Sequence, residues 1–284
     1  MTASTNPTIS ASLLGVPVTV SAPPPLMARI VAELGVLLDS DSDSDRYPVP
    51  PLHLLQLRDD GTADGTADAG YAVENALAQI TGFAVAHSPL LCIHAGVVAG
   101  ARGLIAIPGA SGHGKTTLVA ALVRAGFGYV SDEALALDRS SLIATAFPRP
   151  LALDRRAWAL LGLDPAAAPP DGGEGLVQPD ALGALGRGGA VTDIVLTRRR
   201  PGPATLGPTS RGTALAPLLS RAFNHYLDGA ASFRAVVTLV RGARVWAAEY
   251  EQAPDLAVIL AERLGPGKLS GPQPGRPDHS PAGR

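Results

Sequence analysis

The chain has little cysteine and little lysine, and it contains no long apolar run. Its single cysteine, Cys92, cannot form an internal disulfide, and the apolar residues around it at 90–93 indicate a buried, unreactive thiol. No stretch of about 18 apolar residues free of charge is present, and the first residues lack the basic start of a secretory signal. We therefore expect a cytoplasmic protein that does not contact a membrane.

The charge balance excludes another class of partner. A formal net charge of −2 provides no general excess of positive charge with which to bind nucleic acid. The length of 284 residues and the hydrophobic content of 46% suffice for one large α/β domain or for two smaller ones. We expect a globular protein that does not bind nucleic acid.

Only two lysines stand among the 23 lysine and arginine residues, and one of them, Lys115, lies within a glycine-rich octapeptide. Residues 109–116 match the pattern G-x-x-x-x-G-K-[ST], in which backbone N–H groups surround phosphates. A compact ammonium fits between the β- and γ-phosphates of a nucleotide, where a planar guanidinium is too wide. The pattern therefore predicts a phosphate-binding loop with Lys115 at the β/γ bridge.

The residues on either side of the octapeptide support this interpretation. A short apolar strand is predicted at 103–107, and apolar pairs at helical spacing predict a helix at 116–125. Strand, glycine loop and helix thus follow in the order that a phosphate-binding loop requires. The residues expected to hold the nucleotide are Gly109, Ala110, Ser111, Gly112, His113, Gly114, Lys115, Thr116 and Thr117.

An acidic pair, Asp132 and Glu133, follows Thr116 by 16 residues. A helix at 115–125 advances about 16 Å, and a strand at 127–131 returns about 16 Å. A right-handed crossover of these lengths would return Asp132 to the sheet edge that carries the loop. Thr116 is then expected to bind Mg²⁺, Asp132 to bind the metal or accept a proton, and Glu133 either to be a second ligand or to face solvent.

Periodicity predicts the remaining elements and a division of the chain. Strands are predicted at 13–20, 52–57, 90–98, 192–197, 233–239 and 244–250, and helices at 26–38, 73–85, 215–226 and 256–264. Loops are predicted at 39–45 and 61–68, and the proline-rich stretch at 165–179 is predicted to lack regular structure. We expect an N-terminal α+β segment at 1–90 packed on or preceding the core, a core at 91–265, and a disordered tail at 266–284.

Several segments together resemble the HPr kinase-like family over about residues 92–138. Beside the glycine-rich loop they are Ile93-His94-Ala95, Arg124-Ala125-Gly126 and Val130-Ser131-Asp132-Glu133. A weaker likeness extends over 146–265, where residues 147–151 are similar to a proline-rich segment of short family members.

The resemblance implies an α/β P-loop kinase core of the HPr kinase and phosphoenolpyruvate carboxykinase type, with a mixed sheet and flanking helices. It implies transfer of the γ-phosphoryl group of ATP, with Mg²⁺, to a serine of a protein or peptide. Asp132 would be the base towards the acceptor hydroxyl, His94 would lie near the phosphates, and Arg149 would hold the transferred phosphate or an acidic acceptor. Short members accompany peptide-maturation enzymes, including those for lasso peptides, so a ribosomal peptide precursor is the expected acceptor.

The sequence departs from the family pattern in two respects. Glu133 stands where aspartate is more usual, and no counterpart is evident of the downstream lysine- and arginine-containing segment of full HPr kinase/phosphorylases, so phosphorolysis is not expected. Two alternatives stay open: a small-molecule kinase, and an ATP-binding protein without catalysis. The arginine run at 198–200 is expected to be solvated rather than part of a helical lid. The sequence also leaves self-association open.

Guanine nucleotides are not expected. Reading guanine would require an N-K-x-D element, and the positions of the two lysines do not supply one.

Overall fold

An eight-stranded mixed sheet is the largest feature of the computed structural model, which describes residues 6–38, 53–56, 58, 72–109 and 114–266. The strands are β1 (Thr8–Leu13), β2 (Val16–Ser21), β3 (His53–Gln56), β4 (Leu91–Gly100), β5 (Gly103–Pro108), β6 (Gly128–Ser131), β7 (Ala134–Leu137), β8 (Ile143–Thr145), β9 (Leu151–Asp154), β10 (Glu174–Val177), β11 (Gly189–Arg199), β12 (Thr205–Pro208) and β13 (Arg244–Tyr250). The helices are α1 (Pro24–Leu38), α2 (Ala72–His87), α3 (Lys115–Arg124), α4 (Arg155–Leu160), α5 (Pro179–Leu182), α6 (Leu215–Leu219), α7 (Gly229–Gly242) and α8 (Ala253–Leu264).

The large sheet has the strand order β12-β13-β11-β5-β4-β7-β8, and β6 also pairs with β4. Strands β5, β11 and β13 are parallel, whereas β4 runs antiparallel to β5, β6 and β7. The crossover through α3 therefore joins two parallel strands, β5 and β6, with β4 between them. The start of β11 also pairs with β8, so the sheet curls back on itself.

Helices cover both faces of this sheet. In β5, Ile105 and Ile107 pack in a cluster with α3 and α8, while Leu104 and Ala106 pack in a second cluster with α6 and α7. Such alternation, with both sets apolar, is the pattern of a strand buried on two sides. The predicted α/β class, a mixed sheet with flanking helices, is confirmed.

The N-terminal elements form a smaller α+β unit against the core. Strands β1, β2 and β3 make a three-stranded sheet, and α1 and α2 share a hydrophobic cluster with residues of β4 and β7 and with Phe147. Cys92 of β4 is fully buried in that cluster, which confirms the expected burial, and burial raises the pKa of its thiol to about 12. The division of the chain at residue 90 stays a prediction.

Some predicted elements differ in extent or lie elsewhere. The strand predicted at 13–20 is part of a hairpin, because β1 ends at Leu13 and β2 begins at Val16. Within the proline-rich stretch, residues 165–167 form one turn of 3-10 helix and 174–177 form β10. The predicted loops at 39–45 and 61–68, and the tail beyond residue 266, lie outside the described residues. In the part of the chain that the structure describes, no helix combines the length and apolar character needed to cross a bilayer.

The prediction of a strand at 233–239 is wrong, because these residues belong to α7. Aromatic and β-branched residues in this stretch favour a strand locally, but the buried positions follow a helical repeat. The buried side chains of α7 are Ser232, Ala235, Val236, Leu239 and Val240. The carboxylate of Asp228 accepts a hydrogen bond from the Ala231 N–H at 2.9 Å and caps the helix.

The helix predicted at 215–226 is confirmed only for its first turn, since α6 ends at Leu219. The chain then runs beside β4, where Arg221 O accepts from the His94 N–H at 2.8 Å. The buried side chain of Asn224 accepts from the Cys92 N–H at 3.0 Å and donates to the carbonyls of Ser88 and Leu90 at 2.9 and 2.8 Å. A continued helix would remove these partners from the start of β4.

Replacing Asn224 with alanine is expected to lower the free energy of unfolding by about 3 kcal/mol, because one buried N–H and two buried carbonyls would lose their partner. Urea denaturation measures this difference. Asn6→Ala, at an exposed asparagine before β1, is the matched control and should change the value by less than about 0.5 kcal/mol. Wild-type stability in Asn224→Ala would contradict this account of the β4 start.

Candidate functional site

The carboxyl ends of four parallel strands meet at one edge of the large sheet. Strands β5, β6, β11 and β13 end there, and ligands of open α/β sheets bind at this kind of edge. A cavity of about 300 Å³ opens at this edge. Its lining residues are His94, Gly114, Lys115, Thr116, Thr117, Asp132, Glu133, Arg149, Ala152, Asp154, Arg156, Ala157, Leu160, Glu174, Arg199, Tyr250, Glu251 and Ala253.

Most of the residues predicted from the sequence line this cavity. They are His94, Gly114, Lys115, Thr116, Thr117, Asp132, Glu133 and Arg149. Gly109 directly follows β5, and a Cβ atom placed there would come within 2.9 Å of Lys115 Cδ. The predicted loop residues Ala110, Ser111, Gly112 and His113 lie outside the described residues.

The N-terminus of α3 opens into the cavity. Gly114 precedes the helix with φ of 77°, a left-handed conformation that favours glycine, and among the described residues no side chain caps the helix there. The first N–H groups of a helix lack intrahelical partners and carry a partial positive charge. Together with Lys115, Thr116 and Thr117 on the cavity wall, this end of α3 has the chemistry of an anion site.

Lys115 is only 7% exposed and contacts His94. Its Nζ donates a hydrogen bond to His94 Nε2 at 2.8 Å. Burial lowers the pKa of Lys115, and the nearby carboxylates of Glu133 and Asp132 oppose that shift. The ammonium therefore lies in an environment where an added anion would interact with it strongly.

The contacts of His94 fix its tautomer. A lysine ammonium can only donate, so Nε2 accepts from Lys115. Nδ1 then carries the proton and donates to the backbone carbonyl of Glu133 at 3.0 Å. The ring of Phe223 packs edge-on against the imidazole with centroids 5.3 Å apart. His94 thus holds Lys115 in place through Nε2.

A tight turn between β6 and β7 presents the acidic pair. Ser131 Oγ accepts hydrogen bonds from the N–H groups of Glu133 at 3.2 Å and Ala134 at 3.1 Å. Strand β4 pairs with β6 on one side of the turn and with β7 on the other. The backbone of Asp132 and Glu133 is therefore held from both ends.

One oxygen of Asp132 is oriented by two donors. Arg149 Nε donates to Asp132 Oδ1 at 3.1 Å, and the Tyr129 hydroxyl donates to the same oxygen at 2.9 Å. Burial and the Asp132 charge raise the pKa of Tyr129 well above its ordinary value, so its hydroxyl stays protonated. Asp132 Oδ2 is buried and has no hydrogen-bond partner among the described residues. This oxygen is the one able to accept a new ligand.

Glu133 lies between His94 and Arg149. Its Oε1 is 3.5 Å from His94 Nδ1, and its Oε2 is 3.5 Å from Arg149 Nη2. Burial alone would raise the pKa of Glu133, but the contacts with His94, Arg149 and Lys115 outweigh it and lower the pKa. Burial alone would lower the pKa of Arg149, but the charges of Asp132 and Glu133 outweigh burial and raise that pKa above its ordinary value. Both acids therefore share one guanidinium.

The predicted Mg²⁺ ligands fit a metal only together with phosphate. The described residues contain no group of three or more His, Cys, Asp and Glu side chains arranged to hold a metal ion. Mg²⁺ in phosphoryl-transfer sites commonly takes one or two carboxylates, with phosphate oxygens and waters completing the shell. Asp132 Oδ2 and the Thr116 hydroxyl suit that role, whereas Glu133 is engaged with Arg149 and His94.

Ten lining residues are not placed at the site by the sequence, and among them are Arg156, Arg199, Tyr250 and Glu251. Arg199 ends β11, and Tyr250 ends β13, so both reach the cavity because these strands run parallel to β5. Arg199 is exposed, in agreement with the expectation for the run at 198–200, but it nevertheless lines the cavity. The strand order that brings these residues to the cavity is not readable from local periodicity.

No protein-family model matches the chain, and no curated protein matches its sequence. The likeness to HPr kinase-like proteins therefore depends on the sequence segments described above, and membership of that family stays a prediction.

Replacing Glu133 with glutamine is expected to make the fold less sensitive to acid. The folded pKa of Glu133 lies below the ordinary 4.5, so the unfolded chain takes up the proton first as pH falls. The stabilisation from the ionised carboxylate is complete above pH 4.5 and is lost as pH falls through the depressed value. Urea denaturation at a series of acidic pH values should show a shallower loss in Glu133→Gln than in the wild type.

Glu262→Gln, at an exposed glutamate of α8, is the matched control and should keep the wild-type pH dependence. An unchanged acid slope in Glu133→Gln would show that the contacts of Glu133 with His94 and Arg149 do not stabilise the folded state.

Proposed function

We propose that this chain is an ATP-dependent kinase of the P-loop type, which transfers the γ-phosphoryl group to a serine hydroxyl of a protein or peptide. The observation that carries the proposal is that Lys115 and Asp132 line one cavity at the N-terminus of α3. A phosphate cradle and a carboxylate with an unpartnered oxygen are the two parts that phosphoryl transfer to a hydroxyl needs.

The phosphate end of the cavity is assigned to Lys115 and to the first turn of α3. The ammonium and the helix N-terminus both attract the phosphates, and their partial burial strengthens that attraction. His94 orients the ammonium through the 2.8 Å hydrogen bond. The positive charge is thus held at the position where negative charge develops during transfer.

The acceptor end is assigned to Asp132. Tyr129 and Arg149 bind Oδ1, which leaves Oδ2 to accept the proton of the serine hydroxyl. Arg149 pairs with both acids, so it can hold the transferred phosphoryl group beside Asp132. Mg²⁺ would be held by the Thr116 hydroxyl and Asp132 together with phosphate oxygens, and would neutralise charge on the phosphates.

A non-catalytic ATP-binding protein is the second candidate, and one observation favours it. Asp132 is 2% exposed and already paired with Arg149, and a buried carboxylate of this kind is often a structural element. The two candidates differ in whether the wild-type protein forms phosphopeptide at all, and in whether Asp132 acts as a base or only stabilises the fold.

Incubating the protein with Mg-ATP and a library of serine peptides is expected to yield phosphopeptide, detected by mass spectrometry. Asp132→Asn removes the base and should lower the rate at least about a hundredfold while ATP still binds. Lys115→Met removes the ammonium and should weaken ATP binding itself, measured by calorimetric titration.

Asp171→Asn makes the same chemical change at an exposed aspartate that does not line the cavity, and it should keep the wild-type rate. Phosphopeptide formed by Asp132→Asn at the wild-type rate would remove Asp132 as the base. ATP binding without phosphopeptide from any wild-type reaction would favour the non-catalytic candidate.

A further inference from the structure

A second cavity adjoins the first and lies between α2 and the ribbon formed by β9 and β10. It encloses about 140 Å³, which is too small for a nucleotide but large enough for one side chain. Three residues, Arg149, Ala152 and Glu174, line both cavities. We call this second cavity the α2 slot.

One wall of the α2 slot is a single face of α2. Glu74, Leu77, Ala78 and Thr81 line it, at the three- and four-residue spacing that places side chains on one side of a helix. Leu77 also packs in the N-terminal hydrophobic cluster, which fixes this part of α2 against the core. The N-terminal segment therefore contributes directly to the surroundings of the candidate active site.

The opposite wall is one face of the β9–β10 ribbon. Ala152 of β9 lies opposite Leu176 of β10 in the strand register, and Glu174 is two residues before Leu176. Alternate residues of a strand point to the same face, so Glu174 and Leu176 both face the slot. The ribbon continues into the main cavity through Ala152 and Asp154.

The α2 slot has an apolar lining with two carboxylates. Leu77, Ala78 and Leu176 supply the apolar surface, and Glu74 and Glu174 supply the charges. Neither glutamate forms an ion pair with another of the described residues. The cation at the junction, Arg149, is neutralised by Asp132 and Glu133. The charge of the slot is therefore negative, and the chemistry that complements it is a cation on an aliphatic stem.

We propose that the α2 slot binds a lysine or arginine side chain of the acceptor peptide, close in sequence to the phosphorylated serine. This inference rests on the proposed kinase function. The aliphatic stem of the basic residue lies against Leu77 and Leu176, and its charged end meets Glu74 and Glu174. Because Arg149 lines both cavities and binds Asp132, residues next to the basic side chain reach the junction beside the base.

The test measures binding of fluorescent serine peptides to the full chain by anisotropy, in the presence of a non-hydrolysable ATP analogue. The peptides differ only in carrying lysine, methionine or glutamate at each position on either side of the serine. At one position the lysine peptide is expected to bind about tenfold more tightly than the glutamate peptide. Glu74→Lys should reverse that preference, and Ala78→Trp, which fills the slot, should remove it.

Glu262→Lys makes the same charge change on α8, away from both cavities, and should keep the wild-type preference. Equal binding of lysine and glutamate peptides at every position, a preference for methionine over lysine, or an unaltered preference in Glu74→Lys would each overturn the inference. Phosphorylation of serine peptides without a preference for peptides that carry lysine would contradict the slot assignment but not the kinase proposal. A preference for basic peptides without formation of phosphopeptide would support the slot assignment and contradict the kinase proposal.

Discussion

The pairing of β4 with both β6 and β7 is the constraint on which the candidate site depends. It places the turn at Asp132 and Glu133 directly beside His94. A single carbonyl, Glu133 O, accepts from the Ala95 N–H at 3.2 Å and from His94 Nδ1 at 3.0 Å. A slip of one residue in this register would turn the side chains of the strand to the opposite face. The histidine and the acidic pair are therefore brought together by backbone hydrogen bonds rather than by their own charges.

The charged side chains of the site form a network around this turn. Lys115 is held by the His94 imidazole, while Arg149 binds Asp132 and approaches Glu133. A buried ion pair adds little net stability, but removing one of its partners is costly because the other charge is left unpaired. In the proposed kinase, a nucleotide phosphate and Mg²⁺ would join this network as an added anion and an added cation.

Short-range spacing predicts that the loop and the acidic turn lie together, but it does not predict which distant strands line the same cavity. The loop, α3 and the acidic turn lie close together along the chain, so strand length, helix length and spacing are enough to expect Asp132 near Lys115. The contributions of Arg199 and Tyr250 depend on strands β11 and β13, which join the sheet from about 80 residues or more further along the chain. Local sequence patterns miss this arrangement because they predict a strand at 233–239. Strands β11 and β13 are parallel, and parallel strands need a crossover connection, of which the helix α7 is part.

The α2 slot escapes prediction for a related reason. Glu74, Leu77 and Ala78 fit an ordinary helical repeat that indicates no binding site. Glu174 lies in the stretch at 165–179, which the sequence predicts to lack regular structure. Only the packing of α2 against the β9–β10 ribbon makes them neighbours of Arg149. Arg149 itself is predicted as a phosphate or acceptor ligand, and its contact with Asp132 fits that role while also giving it a structural one.

Hydrogen–deuterium exchange with and without Mg-ATP tests the central claim most directly, because it reports on both halves of the cavity in one experiment. If the nucleotide phosphates and Asp132 share this cavity, Mg-ATP should slow exchange in peptides covering residues 109–124 and also in peptides covering 129–134. Protection of the first region with no change at 129–134, or protection only at sites away from this edge of the sheet, would contradict the account.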